Sequence, residues 1–166
     1  MLSQSEAGDK ETPPRLFVDA MLGRLARWLR LMGYDAAYYR TGSDEELARQ
    51  ARAEGRLILT RDRGLAGRRG VWALLVSAED IDGQIAEVRA VLGGEPEPFS
   101  RCPECNGQLA GLAREAAREL VPPYVWQTQQ TFKRCPDCRR VYWKGTHWPG
   151  MQEGLRDDDE RAKNQG

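Results

Sequence analysis

The stretch Leu16 to Gly33 changes its hydrophobic period within a few residues, and that change limits what the chain can fold into. Leu16-Phe17-Val18 is an apolar run too short for a helix. From Leu22 onward the apolar positions Leu25, Ala26, Leu29 and Met32 follow the i, i+3, i+4, i+7 spacing of one helical face. Gly33 supplies a helix stop. The segment therefore predicts a buried strand, an acid and a helix, with Asp19 at the carboxyl end of the strand, where open α/β sheets place their ligands. Arg24, Arg27 and Arg30 recur every third residue, which predicts a basic row across the solvent side of the helix. Such a row is either a solvated face or a set of phosphate contacts.

The same alternation continues along the chain. Ala36 to Tyr39 predicts a second strand, and Ser43-Asp44-Glu45-Glu46 has the Ser-x-x-Glu form of a capping box, placing Asp44 in the first turn of a helix that stops at Gly55. Arg56 to Thr60 predicts a third strand running into Arg61-Asp62-Arg63, so a second acid stands at a strand end, flanked by two arginines. Val71 to Val76 predicts a fourth strand, and Ser77 caps a helix carrying Ile81, Ile85, Val88 and Leu92. Strands alternating with helices at this spacing predict an α/β fold, a parallel sheet flanked by helices.

A compositional break follows at Glu95-Pro-Glu-Pro98, and all four cysteines lie beyond it. Cys102-Pro-Glu-Cys105 and Cys135-Pro-Asp-Cys138 are two knuckles separated by 29 residues, the pattern of a tetrahedral four-cysteine zinc site. A thioredoxin-like redox motif needs a single such pair at a helix start, which a turn-rich segment with two proline-containing knuckles does not offer. A closed thiolate shell leaves no open coordination position, so the expected zinc is structural and supplies stability that a small apolar core lacks. The only histidine, His147, stands among Tyr142, Trp143, Lys144 and Trp148, a setting that suits base stacking or packing better than ligation.

The 166 residues allow one medium domain with a small appendix, and the formal net charge is +0, with acidic ends and a mildly basic middle. That balance does not by itself announce nucleic acid. No apolar run approaches the roughly 18 residues of a spanning helix, and the polar start is not a signal peptide, so a cytoplasmic protein is expected. The sequence predicts a disordered leader over 1–14, an α/β domain over 15–94, a linker at 95–98, a zinc ribbon over 99–151 and a charged tail over 152–166.

Asp19, Asp44 and Asp62 come together if the first strand lies between the second and third, because that order opens a crevice at the carboxyl ends. Clustered carboxylates call for a cation, and oxygen ligands suit Mg²⁺ or Mn²⁺, which can activate water for attack on a phosphodiester and leave a 5′-phosphate. With no histidine in residues 1–98, acid/base hydrolysis by histidine is excluded there. The bland alternative is that Asp19 and Asp62 only cap helices. A phosphoacceptor receiver domain also uses strand-end acids, but it expects an acidic pair after the first strand and a lysine after the fifth, and neither occurs.

Val18-Asp19 with the run to Asp35, then Ser43-Asp44, Leu59-Thr60-Arg61-Asp62, Ser100 to Asn106 and Tyr142 to His147 together resemble the Mut-seven C-terminal RNase family over nearly all of Arg15 to Met151. The resemblance implies a PIN-like nuclease domain fused to a zinc ribbon, metal-dependent RNA cleavage and a structural zinc. It places the PIN acids on Asp19, Asp44 and Asp62, and leaves the fourth open among Glu79, Asp80 and Asp82. RNA is then the partner, gripped by Arg24, Arg27, Arg30, Arg61 and Arg63. The alternative is a non-catalytic RNA or ribosome adaptor that keeps the fold.

Overall fold

The computed structural model describes residues 12–94 and 96–143; the start of the leader, the stretch containing His147 and the charged tail lie outside the described residues. Among the described residues the chain forms two compact units, divided in sequence after Gln108.

The first unit opens with β1 (Leu16–Val18), a single 3-10 turn (Ala20–Leu22) and α1 (Gly23–Leu31). It continues through β2 (Ala36–Tyr38), α2 (Asp44–Glu54), β3 (Leu57–Thr60), the short α3 (Arg63–Ala66), β4 (Ala73–Leu75) and α4 (Ile81–Val91). All strand pairs are parallel and the order is β2-β1-β3-β4, so β1 lies between the second and third strands as the site expectation requires. The strands read as apolar throughout because both faces are covered. Phe17 and Ile58 project to one face, where they join Tyr39, Leu47, Ala51 and Leu65 in one core cluster. Leu16, Val18, Leu57 and Leu59 alternate to the other face, where α1 packs on α4 and buries Leu22, Leu25, Leu29 and Val88.

Local signals explain the element ends. The Ser43 hydroxyl accepts from the Glu46 amide at 3.2 Å, as the capping box predicts, and Gly55 ends α2 in the left-handed region at φ 65°. The helix after β4 differs from expectation in its start. Its cap is Asp80, not Ser77, and Glu87 reaches back from the second turn to take the Ser77 and Ala78 amides on its two carboxylate oxygens, at 2.7 and 3.0 Å. Gly33, at φ 99°, ends α1 against the Glu97 carbonyl, which any β-carbon there would strike. The chain after α4 thus returns onto the end of α1, and Phe99 is buried with its amide donating to the Leu31 carbonyl at 3.2 Å.

The second unit is a three-stranded antiparallel sheet, β5 (Ala110–Leu112), β6 (Phe132–Arg134) and β7 (Val141–Trp143), in that order. Two short helices, α5 (Arg114–Ala117) and α6 (Pro123–Thr128), fill the β5 to β6 connection. They bury Ala117, Val121 and Val125 against Phe132. Trp126 is clamped there: the Arg114 guanidinium lies 3.9 Å from the centre of its ring, and the indole N–H donates to the Arg114 carbonyl at 3.0 Å.

Candidate functional site

Asp19 and Asp62 occupy equivalent places, one residue and two residues past the ends of the neighbouring strands β1 and β3. Asp44 begins α2 after β2, on the other side of β1, so the three acids stand at the carboxyl end of one sheet around its central switch point. Asp19 and Asp62 are joined through a residue that the acid pattern alone did not single out. Thr60 is fully buried; its hydroxyl donates to Asp19 Oδ2 at 2.8 Å and accepts from the Asp62 amide at 3.0 Å. The signal was in the sequence, a polar β-branched residue closing an otherwise apolar strand just before the acid.

Both acids also act as helix caps. Asp19 Oδ1 accepts from the Ala20 amide at 2.7 Å, and Asp62 Oδ1 accepts from Gly64 and Leu65 at 2.7 and 3.1 Å. Asp44 shares no hydrogen bond with either. Among the described residues the three aspartates do not form a close group of the kind that holds an ion; the one group that does is made of cysteines. Of the remaining acids, Asp80 caps α4 through the Gly83 amide, Asp82 lies in the first turn of that helix and Glu79 is exposed beside them. Arg61 ties the end of β3 to this region by donating to the Ala78 carbonyl, and Arg63 is exposed at the start of α3.

The arginine row does not stay on the solvent side. Three residues turn a helix by about 300°, so each arginine is displaced by some 60° from the last and the row winds off the exposed face. Arg24 is half-buried, Arg27 pairs with Glu104 at 2.8 Å, and Arg30 is only 8% exposed. The Arg30 guanidinium donates to three main-chain carbonyls, Ala36 at 2.8 Å, Pro103 at 3.0 Å and Glu104 at 3.3 Å.

The four Sγ atoms of Cys102, Cys105, Cys135 and Cys138 lie within 4.8 Å of one another. Four thiolates held about 2.3 Å from one zinc would stand roughly 3.8 Å apart, so the cluster fits a tetrahedral structural zinc with little adjustment. The two knuckles repeat one backbone pattern. In each, the first cysteine's amide donates to the carbonyl five residues on, Gly107 at 2.8 Å and Arg140 at 2.9 Å. Its carbonyl accepts from the residue four on, Asn106 at 2.9 Å and Arg139 at 2.8 Å, and those two residues both adopt φ 67°. Two turns of one geometry presenting four sulfurs to one point are what a closed thiolate shell requires.

The Mut7-C RNAse domain family model matches residues 14–155, most of the chain. The chain belongs to the Mut7-C RNAse domain family. No curated protein and no solved structure is significantly similar to it. Membership in the Mut7-C family points to a nuclease and to RNA as the substrate class. The parallel sheet and the cysteine cluster agree with the architecture expected from the Mut7-C resemblance. Among the described residues, no helix is long and apolar enough to cross a membrane.

Proposed function

We propose that this Mut7-C chain is a metal-dependent ribonuclease that hydrolyses RNA phosphodiesters at the carboxyl end of the β1–β3 pair. The observation that carries the proposal is the Thr60 bridge, which ties Asp19 to Asp62 across neighbouring strands. A pair of helix caps has no need of a shared buried hydroxyl. Asp19 and Asp62, tied through Thr60, would offer hard oxygen donors to Mg²⁺ or Mn²⁺, and Asp44 would have to close toward them, because the three do not stand as a ready metal group. When bound there, such a cation supplies charge neutralisation and a more acidic water. The chain's own part is to orient the acids. Asp62 spends both of its capping bonds on Oδ1, and Asp19 directs its two oxygens to Ala20 and Thr60. Arg24, Arg61 and Arg63 would be the arginines of the predicted set to meet phosphate, whereas Arg27 pairs with Glu104 and Arg30 bonds the carbonyls of the first knuckle. The cysteines would hold a structural zinc as thiolates, which a reducing, cytoplasmic setting keeps from oxidation.

The test is cleavage of structured and single-stranded RNAs with Mn²⁺ or with EDTA. Asp19→Asn and Asp62→Asn remove a charge but keep side-chain volume, and asparagine also caps helices. Both variants are expected to keep the wild-type melting temperature and lose cleavage by at least about a hundredfold, roughly 2.7 kcal/mol of barrier. A non-catalytic RNA adaptor is the alternative, favoured by the capping roles of both acids. It predicts no Mn²⁺-dependent cleavage and unchanged RNA binding in both variants.

A further inference from the structure

Ala36, the first residue of the edge strand β2, is completely buried, and both of its main-chain polar groups are taken by side chains that also hold the first cysteine knuckle. Its amide donates to Asn106 Oδ1 at 3.0 Å, and its carbonyl accepts from Arg30 Nε at 2.8 Å. Asn106 follows Cys105 directly, and its side-chain amide donates to Asp35 Oδ1 at 2.8 Å. Asp35 Oδ1 also pairs with Arg56 at 2.8 Å, and Arg56 donates to the Leu16 carbonyl in β1 at 3.1 Å. The other end of Arg30 grips the carbonyls of Pro103 and Glu104, the two residues between the cysteines. The knuckle is thus bonded by two prongs to the strand beside the one that carries Asp19.

We infer that the first knuckle is a metal-dependent clasp on the α/β unit, so that metal occupancy of the cysteine cluster sets the stability of the β1–β2 edge. The inference rests on the metal-binding part of the proposed function and is independent of the nuclease part. Two physical points support it. Asn106 bonds Ala36 from a left-handed conformation, φ 67°, within the knuckle turn, and metal ligation would stabilise such a turn in a short loop. Arg30 is a buried cation whose hydrogen bonds, among the described residues, go to the carbonyls of Ala36, Pro103 and Glu104. Zn²⁺ with four thiolates carries a net charge of about −2, and Arg30 beside Cys102 and Cys105 offsets it; with that charge gone, Glu104 alone of these groups is left to favour the buried guanidinium. Loss of metal, or oxidation of the thiols, then loosens the edge beside the acids and leaves the opposite side of the sheet intact.

Amide hydrogen exchange of the full chain tests this, with zinc-loaded protein compared with protein stripped by chelator under reducing conditions. Protection at Ala36 and at Leu16, whose amide donates to the Asp35 carbonyl at 2.8 Å, is expected to fall at least about tenfold on stripping, while amides of α4 stay within about twofold. Asn106→Gly keeps the left-handed backbone and deletes the prong. It is expected to bind one zinc per chain yet show low Ala36 protection with or without it. Arg30→Gln is expected to release zinc to a chelator at least about tenfold faster. Equal Ala36 protection in loaded and stripped wild type overturns the clasp, as does zinc-dependent protection that survives in Asn106→Gly. A wild type that takes up no zinc overturns the metal reading itself, and it differs from those outcomes in metal content alone.

Discussion

Thr60 shows how one buried hydroxyl organises two charged residues. Both of its bonds run to groups that would otherwise be hard to satisfy, a carboxylate oxygen of Asp19 and the main-chain amide of Asp62. Thr60→Val keeps the shape and deletes both bonds, leaving the part-buried Asp62 amide without its partner. It is expected to lower stability by about 1–3 kcal/mol in urea unfolding. Cleavage is expected to fall further than the folded fraction does, because Asp19 loses its orientation, while Thr60→Ser restores both properties. Full activity in a folded Thr60→Val protein would show that Asp19 needs no such support. Arg30 makes a complementary point. The three-residue spacing predicts a place on the solvent side, yet Arg30 lies beneath the first knuckle, because helical rotation decides burial and residue type does not.

At the scale of elements, the two knuckles share a turn but not its cost. Asparagine tolerates the left-handed region and arginine does not, so Asn106 and Arg139 adopt the same φ at different expense. Relief of roughly 1–2 kcal/mol in the folded state, less about 0.5–1 for the greater freedom of unfolded glycine, leaves Arg139→Gly more stable by about 0.5–1 kcal/mol. Thermal unfolding of zinc-loaded protein followed by tryptophan fluorescence checks this, since Trp126 and Trp143 lie in the second unit. Destabilisation would mean that the Arg139 side chain contributes more than its backbone costs. The capping box of α2 needed no such tertiary help. Ser43, Glu46 and Gly55 mark its ends through bonds made within a few residues of sequence, which is why its boundaries were legible.

For the whole molecule, one source of pH dependence is the network at Asp35. Burial alone would push its carboxyl upward, but the bonds from Arg56 and Asn106 hold it below its usual value of 3.8. The unfolded chain therefore takes up the proton first. The stabilising contribution is complete above about pH 4 and is lost as pH falls through the lower folded value. Thermal melts from pH 7 to pH 2 should show wild type losing its advantage over Asp35→Asn only below about pH 4. Parallel acid limbs for the two proteins would remove Asp35 from the account. Because Asp35 joins Arg56, Asn106 and the β1 main chain through them, the acid-labile contact and the metal clasp are parts of one network.

The sequence by itself determined the alternation of the four parallel strands with α1, α2 and α4, the strand-end places of Asp19 and Asp62, the helix start at Asp44 and the pairing of the cysteine knuckles. Each of these is written in local periodicity, capping chemistry or ligand spacing, which act over a few residues. Only the tertiary structure decided that Thr60 would bridge two acids, that Glu87 would cap the turn before its own helix, and that Arg30 and Asn106 would grip both polar groups of Ala36. The longest of those bonds, Thr60 to Asp19 and Ala36 to Asn106, join residues 41 and 70 positions apart. Nothing in either local stretch specifies its partner, because the partner is chosen by which buried donors and acceptors the packed sheet leaves facing one another.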